Sequence, residues 1–383
     1  MKVLVIGVYR DGTGYGHYCT HLINSLLAAD PEIDVVTRFV RLTYRSPEIN
    51  QIVAGQVPEM FQELEKKDLQ NVDIVIQNIL PSFFLHNSKA IFVGSAMYET
   101  DKFFAMEWVK RSNEMDHIFV PSQQSFDCFV NSGVNKDKLQ LQPLGFDIEK
   151  IQAHTEKVDL SEQIDDDTKV FYFIGDIGPR KFLTGLLRAY YYEFRPWEKV
   201  CLFIKGYMSG EAKTDTERLA SYVNEIKNNM KLNEYPPIII KAGYDTEEEI
   251  LSIHERGDFF VSASRGESLG LDAITALAKG NPIVVANAGG AKLYADNEVG
   301  RVVQTNQTPV IGLSEQAPPE LYIGYELWDE PQILDLSHKM REIFELDDTS
   351  LNKMKTKCKI RVQDWTYKNA GNKFRGMFDQ WLS

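Results

Sequence analysis

Three loops carry the residues of this chain whose types and spacing could do chemistry. The first is Gly12–Gly16, the second is Gly175–Lys181, and the third follows the apolar run Phe259–Ser262 and contains Glu267. Each loop lies between a strand-like apolar run and a helical pattern, where backbone amides at the start of a helix can bind an anion. The sequence therefore predicts phosphate or sugar binding at the ends of parallel strands.

The second loop places Arg180 and Lys181 where a helix is predicted to begin. Cations at a helix N-terminus are mildly unfavourable unless an anion also binds there. Six basic and three acidic residues lie between positions 170 and 205, so this stretch is locally positive in an acidic protein. A bound pyrophosphate would explain the two cations, and a solvated basic helix face is the alternative.

The third loop combines a carboxylate with the start of another helix. Glu267 is followed by Ser268–Leu271, whose amides open a helix predicted over about Leu271–Ala278. Such amides suit phosphate or a developing oxyanion, and a loop carboxylate suits sugar hydroxyls. This segment is therefore the most informative of the three.

The first loop, Gly12–Gly16, does not match the dinucleotide-binding pattern Gly-x-Gly-x-x-Gly, because His17 occupies the place of the third glycine. The second strand, predicted over Ile33–Val40, is followed by Arg41 and not by an acid that could hold a ribose hydroxyl. The glycines still allow backbone to approach a sugar or phosphate. A tight strand-to-helix turn is the alternative interpretation.

The elements that must position these loops form two α/β units in series. The 383 residues alternate short apolar runs with helical patterns, and this alternation is typical of parallel sheets buried on both faces. The pattern predicts one doubly wound, Rossmann-like domain over residues 1–155 and a second over 168–364, joined by an acidic linker at 156–167. Two such domains would face each other across a cleft at the carboxyl ends of both sheets.

Composition excludes several classes of protein. A net charge of −13 argues against long-range attraction to nucleic acid or anionic membranes. No stretch approaches the roughly 18 apolar residues of a membrane span, and the first apolar run is too short for a signal peptide, so we expect a cytoplasmic protein. Asp165–Asp167 is interpreted as a solvated acidic run, so no metal site is expected.

Taken together and in order, these segments resemble the retaining nucleotide-sugar glycosyltransferases of the GT-B fold, glycosyltransferase family 4, which includes glycogen-synthase-like enzymes. The resemblance covers nearly the whole chain. It is carried by the stretches Gly12–Gly16, Val120–Ser122, Ser132–Val134, Pro143–Asp147, Gly175–Lys181, Ser264–Gly280 and Ala286–Gly290, and by Trp365 with Ala370.

The resemblance implies a role for each matching residue. Lys181, with Arg180 beside it, would neutralise the diphosphate of the donor, and Glu267 would bind hydroxyls of the donor sugar. Residues Ser268, Leu269, Gly270 and Leu271 would hold phosphate and sugar through their amides. The loop residues Gly14, Tyr15 and Gly16 would approach the donor from the first domain, and the helix at about 365–383 would pack back onto that domain. The family generally needs no metal, and the co-substrate would be a UDP- or GDP-sugar.

Three departures from the family pattern concern the site itself. Asp176 stands where the family's phosphate loop usually has Arg, so Arg180 is a candidate substitute. Thr275 stands where the family has a second Glu that holds the ribose, and a hydroxyl cannot make the same bidentate contact. Glu99 lies where the family often has a cleft histidine. It could orient or deprotonate the acceptor, or it could cap a helix.

The sequence-based hypothesis is therefore a cytoplasmic enzyme that transfers a hexosyl or pentosyl group to a hydroxyl acceptor, such as a saccharide or a lipid-linked glycan, without a metal. Two alternatives stay open at this point. One is a viral-type glycosyltransferase acting on a hydroxylated base of DNA, and the other is a binding protein that kept the fold without turnover. A dinucleotide oxidoreductase ranks well below both, because the nicotinamide fingerprint is absent.

Overall fold

A computed structural model describes residues 1–41, 57–87, 89–208, 211–312 and 322–383. The chain divides into two compact units. Unit 1 contains the described residues within Met1–Ile148, Glu320–Glu326 and Asp364–Ser383. Unit 2 contains those within Glu149–Pro319 and Leu327–Gln363.

Unit 1 is built on a parallel six-stranded sheet with the order β2-β1-β3-β4-β5-β6. Its strands are mostly buried, because parallel strands are covered by helices on both faces. The pairs β1–β2 and β1–β3 place the first strand at the interior of the sheet. The strands are β1 Lys2–Gly7, β2 Asp34–Phe39, β3 Ile74–Asn78, β4 Ile91–Ser95, β5 His117–Val120 and β6 Leu139–Leu141.

The helices of unit 1 follow its strands, and two of them begin at side-chain caps. Thr13 accepts a hydrogen bond from the Gly16 amide at the start of the first helix, and Ser122 accepts one from the Ser125 amide at the start of the fourth. Such caps satisfy amides that have no partner within the helix. The helices are α1 Gly14–Leu27, α2 Met60–Lys66, α3 Met106–Glu114 and α4 Gln123–Asn131.

Unit 2 repeats the parallel arrangement with the order β12-β11-β10-β7-β8-β9. The order reverses between β7 and β10, and the carboxyl ends of adjacent parallel strands meet there, at the point where open α/β sheets bind ligands. A two-stranded antiparallel hairpin, β13 with β14, follows the sheet. The strands are β7 Lys169–Asp176, β8 Val200–Tyr207, β9 Ile238–Ala242, β10 Phe259–Ser262, β11 Ile283–Ala286, β12 Gly300–Val303, β13 Thr305–Pro309 and β14 Leu327–Pro331.

The helices of unit 2 bury apolar faces against this sheet. The helix after β10 buries Ala273, Ile274 and Leu277 and ends at Gly280, whose φ of +91° suits glycine. The helices are α5 Ile148–Ala153, α6 Leu183–Glu193, α7 Ala212–Met230, α8 Glu247–Arg256, α9 Leu271–Lys279, α10 Ile333–Phe344 and α11 Asp348–Val362.

The last helix, α12 Tyr367–Leu382, belongs to unit 1. Gly371 lies so close to α1 that an added Cβ would stand 2.2 Å from the Ser25 carbonyl oxygen. Phe374 and Phe378 are fully buried, and the Phe374 ring packs edge-on against Phe119 of β5. The end of the chain thus completes the core of the unit that its beginning forms.

The structure departs from the sequence-based expectation at the start of α6 and in the acidic stretch 156–167. The sequence predicts a continuous helix over about Lys181–Phe194. Instead, a 3-10 turn at Pro179–Lys181 is followed by Phe182 with a φ of +49°, and α6 begins only at Leu183. The acidic stretch 156–167, expected as an interdomain linker, is grouped with unit 2, where the Val158 amide donates to the Ser252 carbonyl.

Within the described ranges, no helix has both the length and the apolar character needed to cross a bilayer.

Candidate active site

Three loops of unit 2 converge at the carboxyl ends of β7, β10 and β11. The first leads from Asp176 into the 3-10 turn, the second contains Glu267, and the third contains Gly289. The order of the sheet brings them together, because β10 pairs with both β7 and β11. Residues that are distant in sequence thereby share one site.

The two cations of the first loop face the carboxylate of the second. Lys181 Nζ lies 2.6 Å from Glu267 Oε2, and Arg180 Nη1 lies 3.6 Å from the same oxygen. Arg180 also donates to the Gly266 carbonyl at 2.7 Å, so it is tied to the backbone of the Glu267 loop. The structure therefore groups Lys181, Arg180 and Glu267 in one cluster.

Asp176 positions Arg180 in this cluster. Its carboxylate accepts a hydrogen bond from the Gly178 amide at 2.9 Å and one from Arg180 Nη2 at 3.3 Å. The guanidinium is thus held between Asp176 and the Glu267 loop. Asp176 therefore anchors Arg180, the residue suggested as a substitute for the arginine that the family usually has at position 176.

Glu267 is held in its ionised form. Burial acts to raise the pKa of Glu267, but the charges of Lys181 and Arg180 outweigh it, and the pKa lies below its ordinary value. An ionised carboxylate only accepts hydrogen bonds, so it suits hydroxyl donors of a sugar. The adjacent cations suit an anion such as a diphosphate.

The start of α9 supplies a second element for anion binding. Gly270 is its N-cap residue, with a φ of +86°. In the described part of the chain, the amides of Ser268–Leu271 have no hydrogen-bond acceptor. The helix dipole adds positive potential at these amides. They are therefore available to a ligand that carries phosphate or hydroxyl oxygens.

The Glu267 loop is fixed from behind by the loop after β11. Gly290 donates its amide to the Glu267 carbonyl at 2.8 Å, and Tyr294 Oη donates to the Leu269 carbonyl at 2.9 Å. Gly289 has a φ of +57°, and a Cβ there would stand 1.8 Å from the Glu267 carbonyl oxygen. The glycine pair is thus required by a backbone contact.

Sequence reasoning missed Arg265, which links three parts of the site. Its guanidinium lies 3.9 Å from the ring centroid of Phe182 and 4.8 Å from that of Trp328. It also donates to the Pro179 carbonyl at 2.9 Å and pairs with Glu330 at 2.7 Å. These partners come from the 3-10 turn and from β14, so nothing in the local sequence pointed to this role.

A small cavity opens beside the Lys181–Glu267 pair. Its wall is largely apolar, and its polar lining consists of Lys181, Ser262, Ser264, Glu267, Asp272 and Tyr294. Asp272 lies on the first turn of α9 and was not singled out from the sequence. Burial raises the pKa of Asp272 to about 6, and the charge of Glu267 adds to this rise, whereas the charge of Lys181 opposes it. The sequence signal that could have identified Asp272 is its position, five residues after Glu267 at the start of the predicted helix.

Thr275, the position of the family's second Glu, lies one turn further along α9. Its hydroxyl donates to the Leu271 carbonyl at 3.1 Å, as threonine often does within a helix. Thr275 is not part of the cavity lining. Its side chain is therefore occupied by its own helix.

In unit 1, the glycine loop leads into the first turn of α1. A Cβ at Gly16 would stand 1.6 Å from the Asp11 carbonyl oxygen, so this glycine is required by the turn itself. Gly14 is exposed and has open space where a Cβ would lie. Tyr15 turns its hydroxyl inward and donates to the Ile79 carbonyl at 2.9 Å. Gly14 therefore offers the most accessible backbone of the three.

Glu99 is half-buried and follows β4 in unit 1. It is not a helix cap, since α3 begins after Ala105 without a side-chain cap and α4 is capped by Ser122. In the part of the chain that the structure describes, its carboxylate has no hydrogen-bond or ion-pair partner. The capping alternative for Glu99 is therefore wrong.

A larger cavity, of about 870 Å³, lies at the opposite edge of the unit 2 sheet. It is lined by residues that precede strands, such as Asp258 and Asn281, and by charged side chains of both signs. None of the predicted site residues lines it. Among the described residues, no group of three His, Cys, Asp or Glu side chains could hold a metal ion.

Comparison with known proteins gives matches to glycosyltransferases. Residues 155–311 match the model of the family described as Glycosyl transferases group 1. The chain is 29% identical over 138 residues to a D-inositol 3-phosphate glycosyltransferase of Mycolicibacterium smegmatis, which covers 36% of this chain and 29% of that protein. It is 23% identical over 178 residues to an alpha-monoglucosyldiacylglycerol synthase of Streptococcus pneumoniae, which covers 45% of this chain and 37% of that protein. The chain thus spans about a third of the length of these relatives.

Solved structures match over the whole chain. Anabaena HepE, determined in complex with UDP and glucose, has a TM-score of 0.64 at 15% identity, with 99% of both chains covered. Sucrose-phosphate synthase of Thermosynechococcus elongatus has a TM-score of 0.67 at 16% identity and covers 100% of this chain and 99% of its own. The two six-stranded units therefore have the GT-B fold expected from the sequence.

Proposed function

We propose that the chain is a retaining glycosyltransferase of the glycosyl transferase group 1 family, known as glycosyltransferase family 4. The match of residues 155–311 to the model of that family and the GT-B fold support this proposal. The enzyme transfers a sugar from a nucleoside-diphosphate donor to a hydroxyl acceptor. The observation that carries this proposal is the contact of 2.6 Å between Lys181 and Glu267, beside the Ser268–Leu271 amides that have no acceptor among the described residues. Lys181 and the amides can bind the diphosphate of a donor, and Glu267 can bind the hydroxyls of its sugar.

The residues of unit 2 have distinct roles in the proposed reaction. The bond between the anomeric carbon and the β-phosphate oxygen breaks, and the charge that develops on the diphosphate is stabilised by Lys181, Arg180 and the amides of Ser268–Leu271. The acceptor oxygen bonds to the anomeric carbon on the same face. Its proton passes to the departing phosphate oxygen. Glu267 keeps the sugar oriented through its hydroxyls.

For unit 1, we propose that Glu99 orients the acceptor hydroxyl or assists its deprotonation, and that the Gly14–Gly16 loop contributes backbone to the donor. The unpartnered state of Glu99 among the described residues supports a role toward a ligand. In a transfer assay, Glu99→Asp shortens the side chain and Glu99→Gln removes its charge, so the two variants separate reach from charge. Native transfer rates in both variants would contradict a role for Glu99.

We propose a UDP-sugar as the first donor to test and a GDP-sugar as the second. HepE, a neighbour in fold, was solved with UDP-glucose bound, and this supports the choice of UDP-glucose as the first probe. A thermal-shift panel of uridine, guanosine, adenosine and thymidine diphosphate sugars identifies the donor. A hydrolysis assay and a transfer assay on any hit then establish turnover.

Two substitutions test the proposed site directly. Lys181→Ala and Glu267→Ala should each remove most transfer activity, because they remove the diphosphate cation and the sugar-binding carboxylate. Lys213→Ala and Glu217→Ala, on the exposed face of α7, are matched controls that keep full activity. Full activity in both site variants contradicts the proposal. Donor binding without hydrolysis or transfer in the native protein instead identifies a binding protein.

A further inference from the structure

Asp272 is a carboxylate of the donor pocket that the proposed reaction leaves without a role. It lies on the first turn of α9 and lines the cavity beside Lys181 and Glu267. Among the described residues, no other residue donates a hydrogen bond to its side chain or forms an ion pair with it. A half-buried carboxylate without a donor is costly, and the cost falls when a ligand supplies one.

The charged and titratable groups that interact with Asp272 come from several elements. Lys181 of the 3-10 turn and Glu267 of the β10–α9 loop act on its charge and line the same cavity. Its own charge acts on Tyr172 of β7, Tyr207 of β8 and Tyr294 after β11. Lys181 is the cation of this group, and its 2.6 Å contact is with Glu267.

The chemistry of a nucleotide sugar decides which of its parts can bind here. Phosphate oxygens accept hydrogen bonds and carry negative charge, so they repel a carboxylate. Sugar and ribose hydroxyls donate, and a carboxylate is their natural acceptor. Lys181, Arg180 and the α9 amides already offer the phosphates a positive site.

Thr275 does not supply this acceptor, because the residue lies outside the cavity lining. Its hydroxyl donates to the Leu271 carbonyl of its own helix. Asp272 is three positions earlier on the same helix, and residues three apart lie on the same face. Its carboxylate therefore lies one turn closer to the start of α9 than Thr275 and lines the cavity.

We infer that Asp272 is a donor-recognition residue, whose ionised carboxylate accepts a hydrogen bond from a hydroxyl of the bound nucleotide sugar. The inference rests on the proposed function of the site. It makes Asp272 a determinant of donor specificity, because a donor that lacks this hydroxyl leaves the carboxylate unpaired.

The inference has a pH signature with a defined sign. Asp272 binds the hydroxyl best when ionised, and its pKa is about 6. Donor affinity should therefore rise as the pH increases through about 6 and fall below it. One unit below the pKa about a tenth of the carboxyls are ionised, so affinity should drop up to about tenfold.

The experiment measures dissociation constants by calorimetry for native protein, Asp272→Ala and Asp272→Asn. UDP-glucose serves for the pH series because its diphosphate is esterified at both ends, whereas the terminal phosphate of UDP itself titrates near pH 6. If another nucleotide sugar of the panel binds more tightly, that donor and its diphosphate replace UDP-glucose and UDP. Asp348→Asn, at the exposed first turn of α11, is the matched control.

We expect Asp272→Ala to weaken UDP-glucose binding by about 10- to 100-fold, as for loss of a hydrogen bond to a charged group. Asp272→Asn should weaken it less and should remove the pH dependence near 6. Binding of UDP and of 2′-deoxy-UDP to Asp272→Ala identifies the hydroxyl that donates the hydrogen bond. If the substitution weakens binding of UDP but not of 2′-deoxy-UDP, the ribose 2′-hydroxyl donates it. If the substitution leaves UDP binding unchanged, a hydroxyl of the transferred sugar donates it.

Other results overturn the inference. Unchanged UDP-glucose binding in Asp272→Ala means that Asp272 does not contact the donor. Tighter binding in Asp272→Ala, together with a native affinity that falls as the pH rises through 6, means that Asp272 only repels the diphosphate. Such results leave the proposed function intact. Failure of every nucleotide sugar to bind the native protein overturns the proposed function, and the inference with it. Melting temperatures without ligand verify that each variant is folded.

Discussion

At the scale of single residues, the site depends on charges that compensate one another. Arg180 is shared between Asp176, the Gly266 carbonyl and Glu267, whereas the Lys181 ammonium lies directly against Glu267. The two cations are therefore not equivalent. Lys181 can exchange its contact with the Glu267 carboxylate for a contact with a ligand phosphate. Arg180 holds the Glu267 loop and adds positive charge to the site.

This difference predicts a graded effect of the Arg180→Ala substitution. It should lower kcat/KM by about 10- to 100-fold, corresponding to one charged hydrogen bond, while Lys181→Ala removes most activity. Steady-state kinetics with the identified donor measure both variants. Arg188→Ala, an exposed arginine on α6, is the control. Equal losses in Arg180→Ala and Arg188→Ala would exclude a specific role for Arg180.

At the scale of elements, the loops of unit 2 are held by contacts between them rather than by their own conformational preferences. Arg265 lies between the rings of Phe182 and Trp328, and it joins the 3-10 turn, the Glu267 loop and β14. The backbone contact at Gly289 fixes the same loop from the other side. The distance between Lys181 and Glu267 therefore depends on residues that touch neither side chain.

The Gly289→Ala substitution tests the backbone contact. Its Cβ would meet the Glu267 carbonyl at 1.8 Å, and the φ of +57° adds strain, so the loop must shift. We expect a loss of stability of about 1–3 kcal/mol and a loss of donor binding beyond it. Gly376→Ala, in α12 with open space around its Cβ, should be neutral or slightly stabilising. Unchanged donor binding in Gly289→Ala would contradict this role.

A second test concerns the stacked arginine. Arg265→Lys keeps the charge but loses the planar guanidinium that contacts Phe182, Trp328, Pro179 and Glu330 at once, so it should weaken donor binding and lower the melting temperature. Arg265→Ala should do both more strongly. Calorimetric titration and thermal unfolding measure the two effects. Native donor affinity in Arg265→Ala would show that the 3-10 turn holds Lys181 without this link.

At the scale of the whole molecule, the two units are discontinuous in sequence. Each has its own parallel sheet, but unit 1 is completed by α12 from the end of the chain. Phe374 and Phe378 belong to the same buried cluster as residues of β1, α1 and β3. The stability of unit 1 therefore depends on residues more than 200 positions from its sheet.

The Phe374→Ala substitution tests this dependence. The ring is fully buried, and removing it should cost about 3–5 kcal/mol of unfolding free energy in unit 1. Donor binding to unit 2, measured at a temperature where unit 1 remains folded, should be unchanged. Lys373→Ala, an exposed neighbour, should unfold like the native protein. A change below about 1 kcal/mol in Phe374→Ala would mean that α12 contributes little to the core.

Much of the fold was predictable because its signals are local. Parallel strands appear as short apolar runs, and the loops that follow them contain the glycines, Lys181 and Glu267. The strands at Leu139–Leu141, Gly300–Val303 and Leu327–Pro331 were not predicted, since they are short and carry mixed residues. The helical pattern places Phe182 inside a helix, because nothing in its side chain signals a positive φ.

The sequence by itself determined the α/β class, the two units, and which loops carry cations, carboxylates and free helix amides. Strand period and loop composition are properties of neighbouring residues, so they can be read without a structure. Only the tertiary structure decided that Lys181 meets Glu267 across 86 positions, that Arg265 links the 3-10 turn, the Glu267 loop and β14, and that Asp272 lines the cavity while the Thr275 hydroxyl bonds to its own helix. These outcomes depend on strand order and on the direction of side chains in a packed sheet, and neither is encoded in any short stretch of the chain.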